Sequence, residues 1–427
     1  MQTRALDGAR PLAYRSYVLF VLVLVYTFNF IDRQIIGILA VPIKSELSLT
    51  DSQLGLMGGF AFAIFYTLLG IPIARLADRA SRVRIMTVAL ALWSLTTAAC
   101  GLVHTFPQLF LARLGVGVGE AGGVAPAYSL ICDYFPQRQR ARALSVYSFG
   151  IPIGSAVGIV LGGFITHWMS WRMAFFIVGL AGLLMAPLLR WTVREPMRGA
   201  LDEKQAPRPP PSFLQVAALL AHRPSFWGLS LGAASASMMG YGLFFWMPSF
   251  LVRSLALTVL QASLAYGGLV LVGGLAGIWL GGLLADRQGA RSKGMYAIIP
   301  AVAFLGTLPF YIVGVLSSNI EACMLISVVP TALGLVWLGP VLTAVQHLVP
   351  SDMRSTASAI FLFINNLIGI GLGTTLIGFL SDALRVRGAG AESLRYAILS
   401  GTGFYILASL LLFFAARHLE KDWVGET

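Results

Sequence analysis

ARLADRASRVR occupies residues 74–84, and GLLADRQGARSK occupies residues 282–293. Each is a short basic segment between long apolar runs. Asp78-Arg79 and Asp286-Arg287 lie 208 positions apart, close to half of the 427-residue chain. The chain therefore reads as two related halves. A second pair agrees: Pro136 and Arg140 match Pro350 and Arg354, each ahead of an apolar run. A fainter copy, Gly378-Phe379-Leu380-Ser381-Asp382, is expected on the opposite face. One pattern on both faces is what inverted three-helix units inside each half would leave.

The apolar runs set the fold class. The chain is 57% hydrophobic and 11% charged, where a soluble domain is nearer ~25% charged, and its mean hydropathy is +0.80. The runs reach about 20 residues and do not alternate in and out, so they are helices rather than barrel strands. The first run is too long for a signal-peptide core, and no small-residue cleavage site follows it, so no leader is expected. Twelve spans are expected: 16–40, 52–76, 84–103, 107–132, 142–166, 171–191, 225–251, 258–285, 295–316, 321–347, 355–381 and 394–416. The longest polar interruption, VREPMRGALDEKQAPRPPPS at 193–212, divides them six and six. The expected fold is all-α and polytopic. Residues 1–192 form one six-helix bundle, 193–223 a cytoplasmic linker and 224–427 a second bundle, the two related by a pseudo-two-fold.

Orientation follows from Lys and Arg. With the N-terminus inside, 22 of the 30 basic residues fall on the cytoplasmic side and six outside (Lys44, Arg172, Arg253, Arg385, Arg387, Arg395). Arg33 and Arg113 fall within spans. The bias places both termini in the cytoplasm. It also accounts for the net charge of +12 without nucleic acid as a partner. Cys100, Cys132 and Cys323 show no metal spacing and read as packing residues.

These motifs together resemble the major facilitator superfamily over the whole length. The second loop keeps Gly282, Asp286, Arg287, Gly289 and Arg291 of the family's cytoplasmic motif. The first has Ala74 and Ser81 in place of glycines but keeps Asp78, Arg79, Arg82 and Arg84. The resemblance implies that Asp78, Arg79, Arg82, Arg140, Asp286, Arg287 and Arg354 act in cytoplasmic gating. Span five, with Gly150, Gly154, Gly158 and Gly162 and Pro152 between, is similar to the family's glycine-rich fifth helix. Small residues every four positions let helices approach closely. FIDRQIIG (30–37) and RLGVGVGEAGGVAPAYSLICDYFP (113–136) resemble the spinster-like branch. That branch includes proton-linked lysolipid and sphingosine-1-phosphate transporters in animals, together with bacterial members, and the resemblance implies a bacterial inner-membrane location here.

Asp32, Arg33, Arg113 and Glu120 are the acids and bases expected deep inside spans. Such charges cost at least ~2.5–3.5 kcal/mol each at the bilayer centre, so they need a partner or a use. Arg113 and Glu120 share a helix face, two turns apart. One reading is a neutral buried network that only fixes packing. The other gives the charges a transport role. Burial against a neighbouring guanidinium decides whether a carboxylate holds its proton. Asp32 and Glu120 are therefore assigned as proton carriers. Arg33 is assigned to an anionic substrate headgroup, which a guanidinium can bind bidentately. Arg113 belongs to the same cavity set, with holding Glu120 or its helix weighed first. Asp32 and Arg33, adjacent in sequence, point ~100° apart and cannot face one spot.

The second half is aromatic and mildly polar. Tyr241, Phe245 and Trp337 fit packing, lipid contact or an apolar tail. Asn365 and Asn366, with Asn29 in the first half, fit a ligand or a bridge between helices. His347 is a candidate pH sensor. No metal, nucleotide or nucleophile motif is present, so no enzyme or primary pump is expected. The expected function is alternating-access secondary transport, proton-coupled, of an amphiphilic organic anion such as a lysolipid or sphingoid phosphate. The expected protein is a monomer among membrane lipids, with no cofactor beyond H+. A drug, sugar or carboxylate cargo, and a receptor that binds without transport, are the alternatives.

Overall fold

The structure, a computed structural model, describes residues 11–198, 201, 213–289, 291–350 and 353–424. The side chains of Asp78 and Asp286, both assigned to gating, lie outside the described set, as does most of the linker at 202–212. Among the described residues every regular element is helical. In the first half, α1 is Leu12–Leu47. α2 (Asp51–Gly55) runs through a π-helical turn at Leu56–Phe60 into α3 (Ala61–Arg79). α4 (Arg82–Cys100), α5 (Phe106–Glu120), α6 (Val124–Tyr134), α7 (Gln137–Ser148), α8 (Gly150–Trp168) and α9 (Trp171–Thr192) follow. The second half has α10 (Phe213–Ala221), α11 (Pro224–Ser254), α12 (Val259–Gly289), α13 (Met295–Leu316), α14 (Ile320–Leu333) and α15 (Leu338–Gln346). It ends with α16 (Arg354–Leu384), α17 (Ser393–Gly401) and α18 (Gly403–Asp422).

Helix starts are written locally. Thr50 and Gln53 form a capping box ahead of α2: Thr50 Oγ1 accepts from the Gln53 amide at 3.1 Å, and the Thr50 amide donates to Gln53 Oε1 at 2.9 Å. Ser81, Ser170 and Asn319 cap α4, α9 and α14 through their side-chain oxygens. Each cap satisfies an amide that the first turn leaves without a partner.

Among the described residues, ten helical segments are long and apolar enough to cross a membrane. The other two expected spans differ for identifiable reasons. Span four breaks at residues 121–123 into α5 and α6, each too short to span alone. Span seven is α11, 31 residues long, but its serines and glycines dilute the hydropathy.

Packing groups the chain into two compact units. One contains the chain through Leu39 and from Ile64 through α9. The other contains Ala40–Ala63 and everything from α10 onward. The end of α1, α2 and the π-helical turn therefore pack with second-half helices.

In the first unit, α8 lies on α1 along its glycine stripe. A Cβ on Gly154 would sit 2.4 Å from the Thr27 carbonyl oxygen, and one on Gly158 2.7 Å from that of Ile31. In the second unit α16 meets α11 the same way, with a Cβ on Gly373 falling 2.2 Å from the Met238 carbonyl oxygen. Spans five on one and eleven on seven are equivalent pairs, so the repeat read in the loops extends to backbone packing.

Candidate functional site

Both halves break the same helix. Span four is interrupted at 121–123, and span ten at 334–337 between α14 and α15. The glycine pair Gly122-Gly123 closes the first break, with the Gly123 amide donating to the Glu120 carbonyl at 3.0 Å. Glu120 is thereby the last residue of α5. Interrupted spans at matching positions of two repeats point to where a transporter binds its cargo. The breaks lie beside Glu120 in one half and at Trp337 in the other.

The four expected intramembrane charges are all in the first unit; Asp32, Arg113 and Glu120 are buried and Arg33 is half-buried. Asp32 is 2%, Arg113 1% and Glu120 0% exposed. Arg33 and Glu120 form an ion pair, with Nε donating to Oε2 at 2.6 Å. The carboxylate sits at the C-terminal end of α5, where the helix dipole disfavours negative charge, and the guanidinium offsets that. Asp32 turns to α4, where its Oδ2 accepts from Thr97 Oγ1 at 2.5 Å. Its Oδ1 is buried with no hydrogen-bond partner among the described residues. The adjacent pair thus serves two helices, as the 100° helical offset requires. The ion-pair partner of Glu120 is Arg33 on α1, whereas Arg113 shares its own helix. Asn29, 2% exposed, lies one turn before Arg33 on α1.

Sequence reading missed the surroundings of Arg33. Its guanidinium lies 4.6 Å from the Tyr66 ring centre and 5.1 Å from that of Phe30. Tyr26 stacks on Tyr147 at 4.3 Å, and Tyr128 meets Tyr147 edge-on at 5.6 Å. These tyrosines come from four segments of the chain, so no local spacing could group them. Only Tyr128 stood inside a stretch singled out for its motif.

In the second unit, Ser237 on α11 donates to Asn365 Oδ1 on α16 at 2.9 Å. Asn365 Nδ2 lies 3.4 Å from Asn366 Oδ1. Asn365 therefore bridges two helices. Trp337 is buried at the break in span ten and meets the Phe361 ring at 6.5 Å. Phe245 is buried, its ring pressed on Gly58 of the π-helical turn, where a Cβ would fall 2.2 Å from Cε2. Tyr241 is half-buried on α11.

The residues assigned to cytoplasmic gating make several kinds of contact. Arg82 is fully buried and pairs with Asp133 on α6 and with Glu195, whose Oε1 is 2.7 Å from Nε. It also donates to Ser129 Oγ at 2.8 Å. Arg140 donates to the Cys132 and Phe135 carbonyls at 2.8 and 3.1 Å, closing the end of α6. Arg354 reaches His347 Nδ1 at 3.5 Å, and His347 stacks on Trp423 at 4.6 Å. Arg79 and Arg287 are exposed.

A further charged cluster went unread. Asp51, 0% exposed, accepts from Arg253 at 2.8 and 3.0 Å, from Ser381 at 2.8 Å and from Arg385 at 3.2 Å, and also pairs with Lys44. Asp382 accepts from the Asp51 and Ser52 amides at 3.2 and 2.7 Å and from Ser52 Oγ at 2.6 Å. Asp382 thus caps the first turn of α2, and the cluster joins α1 and α2 to α11 and α16. Its signal was the Gly378–Asp382 echo; Asp51 itself carried none.

The chain as a whole is similar to known proteins. The Major Facilitator Superfamily profile matches residues 22–374. An MFS-type efflux pump of Mycolicibacterium smegmatis is 32% identical over 411 residues, covering 95% of this chain and 94% of the pump. Protein spinster homolog 1 of Xenopus laevis is 28% identical over 454 residues, covering 99% of this chain and 84% of that protein. The crystal structure of a bacterial homolog to the human lysosomal transporter spinster, inward-facing and unoccupied, superposes with a TM-score of 0.88. It is 33% identical and covers 98% of this chain and 100% of that one.

Proposed function

The chain belongs to the major facilitator superfamily, as an integral membrane transporter of the spinster-like branch, and from that premise we propose that it is a proton-coupled carrier of an amphiphilic organic anion, a lysolipid or sphingoid phosphate. The observation that carries this reading is the Arg33–Glu120 ion pair at 2.6 Å, part-buried beside a helix break. One guanidinium there has two possible anions. With Glu120 ionised, Arg33 is held by its carboxylate. With Glu120 protonated, that bond weakens and Arg33 is available to a phosphate or carboxylate headgroup. A proton and an anionic cargo therefore favour each other, and this is a coupling free energy between two ligands.

Asp32 is the second proton carrier in this reading, with Thr97 orienting it. Arg113 and Asn29 complete the polar end, and Arg113 keeps the α5 face positive. Tyr241, Phe245 and Trp337 are assigned to the apolar tail, and Asn366 to a polar contact, on the sequence pattern. Asn365, which bridges α11 and α16, positions Asn366. The Asp51 cluster is the outer gate, holding the ends of α1 and α2 against α11 and α16. Asp78, Arg79, Arg82, Arg140, Asp286, Arg287 and Arg354 form the inner gating set. The protein works as a monomer in a bacterial inner membrane, with both termini cytoplasmic and no cofactor beyond the coupling proton.

Binding of lysophosphatidate and of monoacylglycerol with the same tail tests the headgroup assignment. Wild type is expected to prefer the phosphate by tenfold or more, Arg33→Lys to keep part of that preference, and Arg33→Gln to lose it. Equal binding of both lipids by wild type would remove the anion from the reading.

A further inference from the structure

A recess of about 390 Å³ opens at the end of α9, lined by Ser81, Arg84, Arg190, Trp191, Arg194 and Glu195 among others. Three observations make it a built site rather than a dent in the surface. The first is charge. Arg84, Arg190 and Arg194 are exposed, and their side chains make no ion pair with any described residue. Glu195 is turned inward. Its Oε1 takes Arg82, and its Oε2 takes Ser81 Oγ at 2.8 Å and the Val83 amide at 3.0 Å. Arg82, Asp133 and Glu195 together leave one negative charge against three guanidiniums.

The second observation is rigidity. The backbone carrying Arg190 to Arg194 is pinned. Tyr14 Oη donates to the Thr192 carbonyl at 2.9 Å and accepts from the Arg194 amide at 3.0 Å. Tyr134 Oη donates to the Arg194 carbonyl. A pinned backbone leaves only the side-chain rotamers to be ordered when a ligand is taken.

The third is position. Trp191 is 81% exposed at the terminal turn of a membrane-crossing helix. An exposed indole there belongs to the aromatic belt at the headgroup level. Cationic groups beside such a belt on the Arg-rich side meet anionic lipid heads, each worth ~1 kcal/mol.

We propose that this recess binds the phosphate headgroup of an anionic phospholipid of the surrounding bilayer, with Arg84, Arg190 and Arg194 on the phosphate and Trp191 along the upper acyl chain. This lipid is a bound partner rather than cargo. The site uses no residue assigned to transport coupling and does not depend on what is transported.

The test is retention of phosphatidylglycerol by the purified full-length protein through gel filtration in a neutral detergent, quantified by mass spectrometry. Phosphatidylcholine is the neutral control and millimolar inorganic phosphate the soluble competitor. Wild type is expected to retain phosphatidylglycerol over phosphatidylcholine and keep it against phosphate. The triple variant Arg84→Gln, Arg190→Gln, Arg194→Gln should lose at least tenfold of that retention. A charge-matched variant at exposed sites elsewhere, Arg291→Gln, Arg387→Gln, Arg417→Gln, should keep it. Single Arg190→Gln and Arg194→Gln variants give the same reading, at partial loss, if the triple does not fold. Undiminished retention in the triple variant, equal loss in the charge-matched one, or displacement by phosphate would overturn the proposal; displacement would make this a site for a soluble anion.

Discussion

Asp32 and Arg33 show how much one peptide bond can separate. The side chains leave the helix in different directions, one to Thr97 and one to Glu120. Thr97→Val keeps the shape and removes the only hydrogen bond that Asp32 makes among the described residues. The expected cost is about 1–3 kcal/mol, read as a lower Tm in detergent. Outside the spans, Glu195 offers a pH-dependent test. Burial works to raise its carboxyl, but hydrogen bonds from the Val83 amide, Arg82 and Ser81 outweigh it and hold the group below its usual value. A carboxyl lowered on folding stabilises the protein above the ordinary glutamate range, and that contribution is lost as pH falls through the lowered value. Wild type should therefore unfold at a higher temperature than Glu195→Gln at pH 7, and the gap should close below about pH 4.3. A gap unchanged by acid would mean that the Glu195 contacts are not ionic.

The broken spans and the glycine stripes are the informative elements. Gly158 of α8 faces backbone on α1, where a new Cβ would meet the Ile31 carbonyl oxygen at 2.7 Å and its Cα at 2.8 Å. Backbone cannot swing aside, so Gly158→Ala is expected to cost about 1–3 kcal/mol through overpacking. Gly70 on α3 faces open space, and Gly70→Ala should be neutral or stabilise by up to about 1 kcal/mol. Tm values of the two variants against wild type check the contrast. This stripe was legible in sequence because it is periodic within one helix. The helical class and the burial of Asp32, Arg113 and Glu120 were legible as well. The pairing of Arg33 with Glu120 was not, because the residues lie 87 positions apart and Arg113 was the nearer base. The break after Glu120 was visible only as Gly122-Gly123, a pair that long transmembrane helices also tolerate.

At the scale of the whole molecule, loops and helix packing carry a two-fold repeat, while the mid-membrane charges are confined to the first half. In the proposed reading the proton acts in the first half, and the outer lock draws on both, with Lys44 and Asp51 from the first half and Arg253, Ser381 and Arg385 from the second. Asp51 is the centre of that lock, and sequence could not show it, since its partners come from residues 44, 253, 381 and 385. Asp51→Asn leaves Lys44, Arg253 and Arg385 as like charges around a neutral amide. A cysteine at position 54 (Leu54→Cys) in a background without native cysteines should then react several-fold faster with a membrane-impermeant thiol reagent added outside. An unchanged rate would mean that the cluster fixes local packing without gating.

The central claim is that Arg33 is shared between Glu120 and the cargo, so that protons and an anionic lipid move together. Proton movement in liposomes containing the purified protein, under an imposed pH gradient and with a panel of lysolipids and sphingoid phosphates, tests it most directly. Wild type should move protons only when a phosphate-bearing lipid is present, Glu120→Gln should abolish that flux, and Asp32→Asn should weaken it. Lipid binding by wild type with no proton movement, or undiminished flux in Glu120→Gln, would contradict the account.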